Sequence, residues 1–438
     1  MGVATVSAGA GALLAMSLAS TPLLQSRLSP EESKVFDQGE ISTGLNFRLP
    51  RLTRPVNIMV LGMKVLSSDV ENPPDEARNL GYHALVNSFD GLSDTMLMLR
   101  FSPAIDKLVV LSLPRDTRTR VAGLGTTKLN EANAYGGPAL AAQSVSDLLG
   151  GVPIDRYVRI NVQGVEKLVD ALGGVTVYVP KDMKYTDHSQ HLYIDLKQGE
   201  QHLNGAQALQ FLRFRYDAYG DIGRVQRQQT LMRALVEQTL NPATLTRIPQ
   251  ILSVIQENVD TNLTVEELVA LVGFASQLQR SDLQMLMLPG DFSGTGDYEA
   301  SYWLPSRSRI SELVTQYFDV NSGLSATSED PYAEPSAESV SASDPNYDVE
   351  IAIQDSTGDP AAAEQLLAKL QEAGFYNTYI DERWSEPLRE TRIIAQGGDL
   401  DSADAVRRSL GFGEVRVEGT GSLRSDVTIQ IGRDWQGE

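Results

Sequence analysis

Short apolar runs bounded by glycine, proline and polar clusters recur through the first part of the chain and read as strands. Val56–Leu61 (VNIMVL) ends at Gly62, and Thr95–Phe101 (TMLMLRF) and Leu108–Leu113 (LVVLSL) flank a turn, Ser102–Lys107, that contains Pro103 and Asp106. Paired as a hairpin centred between Ala104 and Ile105, these two strands set position 94 opposite position 115, so Asp94 lies beside Arg115. Both fall at the open end of the strands, where α/β proteins commonly build sites. An ordinary cross-strand ion pair accounts for the same two residues equally well.

Helical spacing enters after the hairpin. Tyr135-Gly136-Gly137-Pro138 opens a helix over Pro138–Leu149, with proline at its first position. Tyr157–Ile160 reads as a strand, Val162–Ala171 as a helix and Val175–Val179 as a strand, punctuated by Gly173-Gly174. This alternation predicts an α/β fold, a mixed central sheet flanked by helices. A short helix follows over Asn204–Leu212, then aliphatic helices over Leu231–Leu240, Ile248–Val259 and Val265–Leu278, the last with a Thr264/Glu267 capping box. Their apolar stripes face a core or wall a pocket for a lipid tail; the pattern fits both. Met63–Gly91 and Tyr185–Leu196 read as loops, and the His188/His191 pair in the second is poor evidence for a metal.

The ends of the chain differ in character. Gly2–Leu24 carries no charge and is long enough for a membrane anchor, while its small residues also suit a cleaved secretory segment, so 1–26 is assigned to one of these. Residues 27–55 are polar and mixed and are expected to be a tether to a folded domain over 56–320. Residues 321–346 are rich in Ser, Glu and Pro and read as a flexible acidic linker. Beyond it, 347–438 alternates strands and helices, a small α+β domain with no cluster of catalytic type.

Among 438 residues there are 57 Asp+Glu against 37 Lys+Arg, a formal charge of −20, which argues against a nucleic-acid-coating protein. With no cysteine, disulfide and thiol chemistry are excluded. Positive charge is local: Arg213, Arg215, Arg224, Arg227 and Arg233 crowd into Gln210–Arg233. Arg213 and Arg215 suit a helix C-terminus, but Arg224 and Arg227 come soon after a helix start capped by Asp221, where cations are unfavourable. A bound anion such as phosphate removes the conflict, with Gln228 one turn beyond Arg224. Lys128, read as lying on a loop, is a further phosphate-seeking candidate, or a solvated surface lysine.

Ser93-Asp94-Thr95, Leu113-Pro114-Arg115-Asp116-Thr117, Lys128-Leu129-Asn130 with Tyr135-Gly136-Gly137, and Arg213-Phe214-Arg215 through Gly220-Asp221-Ile222-Gly223-Arg224 to Arg227-Gln228-Gln229 resemble the LytR-CpsA-Psr family. Residues Val349–Asp434 resemble the LytR C-terminal domain of some members, with Asp355-Ser356-Thr357-Gly358 where Asn-Gly-Thr-Gly is usual. The resemblance implies a membrane-anchored, extracytoplasmic phosphotransferase moving a glycopolymer from a polyprenyl pyrophosphate carrier to peptidoglycan, with Mg²⁺. Its pyrophosphate-binding positions map onto Arg115, Arg213, Arg215, Arg224 and Gln228, to which the local charge adds Lys128 and Arg227. Its metal-site aspartate maps onto Asp94, and Asp94 or Asp116 is the candidate base, making Asp94, Arg115 and Asp116 the catalytic set. The chain departs from the pattern at Lys64, where members often have a second aspartate, and at Leu92, where they often have arginine. Asp69, Asp75 or Asp90 are alternative sources of a metal ligand. Hydrolysis of the same pyrophosphate, and retention of the lipid without chemistry, are the competing readings.

Overall fold

A computed structural model of the chain describes residues 23–36, 39–43, 50–63, 89, 91–187, 192–214, 221–239, 241, 244, 247–279, 282–294, 298, 300–320, 349–396, 398–422 and 424–435. Two compact units emerge, 1–148 with 153–283, and 149–152 with 284–438.

In the first unit the apolar run after Pro55 becomes β1 (Val56–Met63), buried along most of its length as a strand covered on both faces must be. It lies antiparallel to β2 (Ser93–Ser102) and parallel to β6 (Arg156–Ile160). β3 (Lys107–Ser112) extends the sheet beyond β2, and β11 (Val259–Thr261) pairs antiparallel with β6 on the other side. The sheet is thus mixed, as the alternation of elements predicts. The β2/β3 register, Leu97 opposite Ser112 through Ser102 opposite Lys107, is the one expected from the turn. Asp106 sits in that turn at φ 49°, a left-handed conformation that a short polar side chain tolerates.

Other elements differ from expectation for local reasons. The helix expected from Pro138 starts earlier, so α1 covers Glu131–Leu148, interrupted by non-helical Gly136 and Gly137. Gly137 has φ 62°, which glycine adopts without a Cβ penalty, and Pro138 restarts the helix. Two hairpins appear where loops are expected: β4 (Arg118–Val121) with β5 (Gly125–Lys128), and β8 (Met183–Asp187) with β9 (Leu192–Leu196). Met183, Ile194 and Leu196 are buried in the second, a period-2 pattern obscured by the polar residues between them. Lys128 accordingly ends a strand. β7 (Val175–Val179) pairs with β10 (Gly199–Leu203), α2 covers Val162–Leu172, and α3 covers Gly205–Arg213 behind an Asn204 capping box. α4 is one long helix, Asp221–Thr239, followed by α5 (Ile248–Asn258) and α6 (Val265–Ala275), whose Thr264/Glu267 capping box is formed. Residues 188–191, with His188 and His191, lie outside the described residues.

The tether expected over residues 27–55 is instead folded onto the unit where it is described. Phe36 is 2% exposed, bridges to Ile154 and packs its ring 5.1 Å from that of Tyr157. Ile41 is fully buried, and Ser42 bridges to Leu52. These sparse apolar residues carry no periodicity, so composition alone reads as a spacer.

In the second unit a five-stranded sheet runs in the order Thr378–Ile380, Ile351–Asp355, Val427–Ile431, Arg392–Ala395, Glu414–Arg416, accompanied by helices Pro360–Glu372 and Leu400–Leu410. Ile351, Ile353, Ile393, Leu366, Val406 and Ile429 are buried in its core. The same unit holds the hairpin of Gly290–Phe292 with Trp303–Pro305 and the helix Arg307–Phe318. The linker over 321–346 lies outside the described residues.

Candidate active site

The site is built where β2 begins and β3 ends. Leu113 donates its N–H to Met96 O at 2.9 Å, carrying the hairpin pairing past the end of β3. The chain then turns through Pro114-Arg115-Asp116-Thr117, closed by Thr117 N–H and Oγ1 donating to Pro114 O at 3.0 and 2.6 Å. Asn130 N–H donates to Arg115 O at 3.1 Å and Leu129 N–H to Thr117 O at 2.9 Å, so the turn is held from the strand side by the segment after β5. Backbone geometry therefore fixes where the side chains of 115 and 116 emerge.

Those side chains form a ladder of alternating charge. Arg115 Nη1 donates to Asp94 Oδ1, Arg115 Nε donates to Asp116 Oδ2 at 3.2 Å, and Lys128 Nζ donates to Asp116 Oδ1 at 2.7 Å. All four side chains are partly open to solvent, between 16 and 25% exposed. From the other side of the sequence, Gln228 Nε2 on α4 donates to Asp94 O at 3.4 Å. Five of the expected site residues thus meet: Asp94, Arg115, Asp116, Lys128 and Gln228. The contact between Asp94 and Arg115 is the cross-strand neighbour pair the turn register specifies.

The arginine cluster divides. Arg213 closes α3 in a half-buried position. Arg227, expected at the pyrophosphate, turns inward: it is 6% exposed, donates Nη2 to Phe214 O at 2.6 Å and lies 5.7 Å over the Phe214 ring. Phe214 is the C-cap of α3, so this cation of α4 serves the carbonyl end of the preceding helix. Part of the charge at position 227 is thus answered by the Phe214 carbonyl. Arg215 lies outside the described residues, as does the Arg224 side chain.

The donors present do not make a cation cage. Asp94 shares Oδ1 with Arg115, both Asp116 oxygens are engaged by cations, and no group of three metal-ligating side chains gathers among the described residues. Lys64, Asp69, Asp75 and Asp90 lie outside them. Most of the anchor-like stretch does too, and no helix among the described residues is long and apolar enough to cross a membrane.

The first unit is thus an α/β domain whose mixed sheet ends in an Asp94–Arg115–Asp116–Lys128 ladder, reached from α4 by Gln228. The chain belongs to the LytR_cpsA_psr family, whose model matches residues 25–319. Residues 348–435 match a second model, the LytR cell envelope-related transcriptional attenuator domain. The polyisoprenyl-teichoic acid–peptidoglycan teichoic acid transferase TagU of Bacillus mycoides is 30% identical over 287 residues, 65% of this chain and 85% of the relative. The protein of that name from Bacillus anthracis is 33% identical over 222 residues, 50% of this chain and 70% of the relative. The crystal structure of B. subtilis TagV superposes with a TM-score of 0.50 at 26% identity, covering 61% of this chain and 98% of TagV.

Proposed function

We propose that this chain is a phosphotransferase that moves a glycopolymer from a polyprenyl pyrophosphate carrier to peptidoglycan at the outer face of the cell membrane. The observation that carries the reading is the Asp94–Arg115–Asp116–Lys128 ladder, at the open end of the sheet of a family member. Arg115 and Lys128 face the pyrophosphate with Arg213, and Arg215 and Arg224 are proposed to complete the cationic wall. Their charge stabilises what develops on the phosphoryl oxygens and on the leaving phosphate. An acceptor hydroxyl attacks the phosphorus that bears the glycan; the new P–O bond forms, the pyrophosphate bridge breaks, and polyprenyl phosphate leaves.

The hydroxyl proton passes to Asp94. Asp116 is less suited as the base because each of its oxygens already accepts from a cation, whereas Asp94 meets Arg115 through Oδ1. Of the described carboxylates, Asp94 is the one proposed to contribute to a Mg²⁺ site, where a bound ion would offset charge on the leaving phosphate. Depleting and restoring Mg²⁺ in the assay below shows whether turnover requires it.

The test supplies the chain with a polyprenyl-pyrophosphate-linked glycan and peptidoglycan and measures release of polyprenyl phosphate and glycan bound to the wall polymer. Arg115→Ala is expected to lower kcat/KM at least about a hundredfold. Unchanged turnover in that variant overturns the site, and release of free glycan with none transferred overturns the acceptor.

A further inference from the structure

The end of the anchor-like stretch is stitched into the sheet. Leu24, its last residue, forms a parallel bridge to Asp260 on β11, and Thr261 N–H donates to Leu24 O at 3.0 Å. The chain thereby bridges to the edge strand of the sheet. Two residues on, Ser26 donates its N–H to Asp260 Oδ1 at 2.6 Å and its hydroxyl to Asp260 Oδ2 at 3.1 Å.

Asp260 is 2% exposed and forms a buried ion pair with Arg159 on β6, whose Nε donates to Oδ2 at 2.6 Å. Arg159 Nη2 also donates to Ser26 Oγ, at 2.5 Å. The third arm of the guanidinium points the other way: Nη1 donates to Phe89 O at 3.2 Å and Asn133 Oδ1 at 3.3 Å, with the Phe89 ring 5.6 Å from the guanidinium carbon. Asn133, itself buried, donates Nδ2 to Phe89 O at 3.2 Å and Gly91 O at 2.9 Å. Gly91 is three residues ahead of Asp94. One continuous line of hydrogen bonds therefore runs from Ser26 through Arg159 and Asn133 to the backbone that feeds the site.

From this we infer that Ser26 is a positioning residue, coupling the chain's exit from its N-terminal apolar stretch to the placement of Asp94. The physical basis is the cost of a buried charge. A desolvated ion pair is tolerated when its remaining donors and acceptors are satisfied, and Ser26 supplies two of the donors on Asp260 and one acceptor for Arg159. Detaching Ser26 leaves the pair to rearrange, and the Arg159 arm that holds Phe89 moves with it. The consequence for turnover rests on the phosphotransferase reading, while the coupling itself is readable without it.

The experiment uses the whole chain, with Ser26→Pro, which removes both the N–H and the hydroxyl, and Ser26→Thr, which keeps both. Amide exchange is followed at Thr261, which reports the bridge to Leu24, and over residues 91–94, together with kcat and KM for the glycan-carrier substrate. Ser26→Pro is expected to speed exchange in both places and to lower kcat roughly tenfold with KM little changed, because misplacement of a reacting group acts on the chemical step. Ser26→Thr is expected to restore all three. Faster exchange at Thr261 with none over 91–94 overturns the coupling, and loosening of both with kcat unchanged overturns the positioning role in turnover. A wild-type chain without transfer activity refutes the functional reading and leaves the exchange result to decide the coupling.

Discussion

Asp116 shows how little of a residue's role is set by its type. It sits between two cations, Arg115 at 3.2 Å and Lys128 at 2.7 Å, and so helps to fix the direction in which Arg115 meets Asp94. Sequence reasoning leaves Asp94 and Asp116 as equal candidates for the base because both are aspartates in matching motifs; in the ladder each Asp116 oxygen accepts from a cation, while Asp94 meets Arg115 through Oδ1. Arg227, a cation that reads as a ligand for phosphate, also donates to Phe214 O, a partner its residue type does not announce. Asp116→Asn, which keeps the shape and removes the charge, is expected to lower kcat about tenfold by loosening Arg115, with a smaller change in KM. Steady-state kinetics on the same substrates check it, and a loss equal to that of Arg115→Ala shows Asp116 to be the base.

At the level of elements, legibility follows periodicity. The β2/β3 register is readable because two apolar runs and one short turn leave a single pairing that keeps both strands buried, and the Asp94–Arg115 contact follows from it. The polar hairpins β4/β5 and β8/β9 are not, since their residues alternate around glycines and charges, and neither is the docked segment around Phe36 and Ile41, whose two buried side chains have no pattern. In the second unit, the turn after Ile351–Asp355 departs from the family's usual Asn-Gly-Thr-Gly, and the structure shows why an acid serves there. Burial raises the Asp355 pKa, but the Thr357 hydroxyl and N–H, the Gly358 N–H and Arg383 outweigh it, leaving the carboxyl below its usual range. A depressed folded-state pKa contributes stability that is complete above the unfolded value of about 4 and is lost as pH falls through the folded one. Asp355→Asn is therefore expected to narrow the gap in urea midpoint between pH 7 and pH 3. An unchanged gap removes Asp355 from the acid limb.

Over the whole molecule, charge and chemistry are segregated. The chain carries −20, yet every described candidate site residue, from Asp94 to Gln228, belongs to the first unit, within the stretch 25–319 matched by the family model. The second unit has its own sheet and buried core, and its links to the helix Arg307–Phe318 are specific. Arg309 pairs with Asp426 at 2.6 Å, and the Tyr317 hydroxyl donates to Gly398 O at 2.8 Å, with its pKa pushed up to about 12 by burial and by Asp399. Removing residues 321–438 thus takes away no candidate site residue but strips Arg309 and the buried Tyr317 of these partners. The shortened chain is expected to keep kcat/KM within about threefold, less than half a tenfold step in barrier height, while its thermal midpoint falls and its tendency to associate rises. Calorimetry and light scattering alongside the transfer assay separate the two effects. A drop of a hundredfold or more in a folded, monodisperse truncated chain would place part of the chemistry in the C-terminal unit.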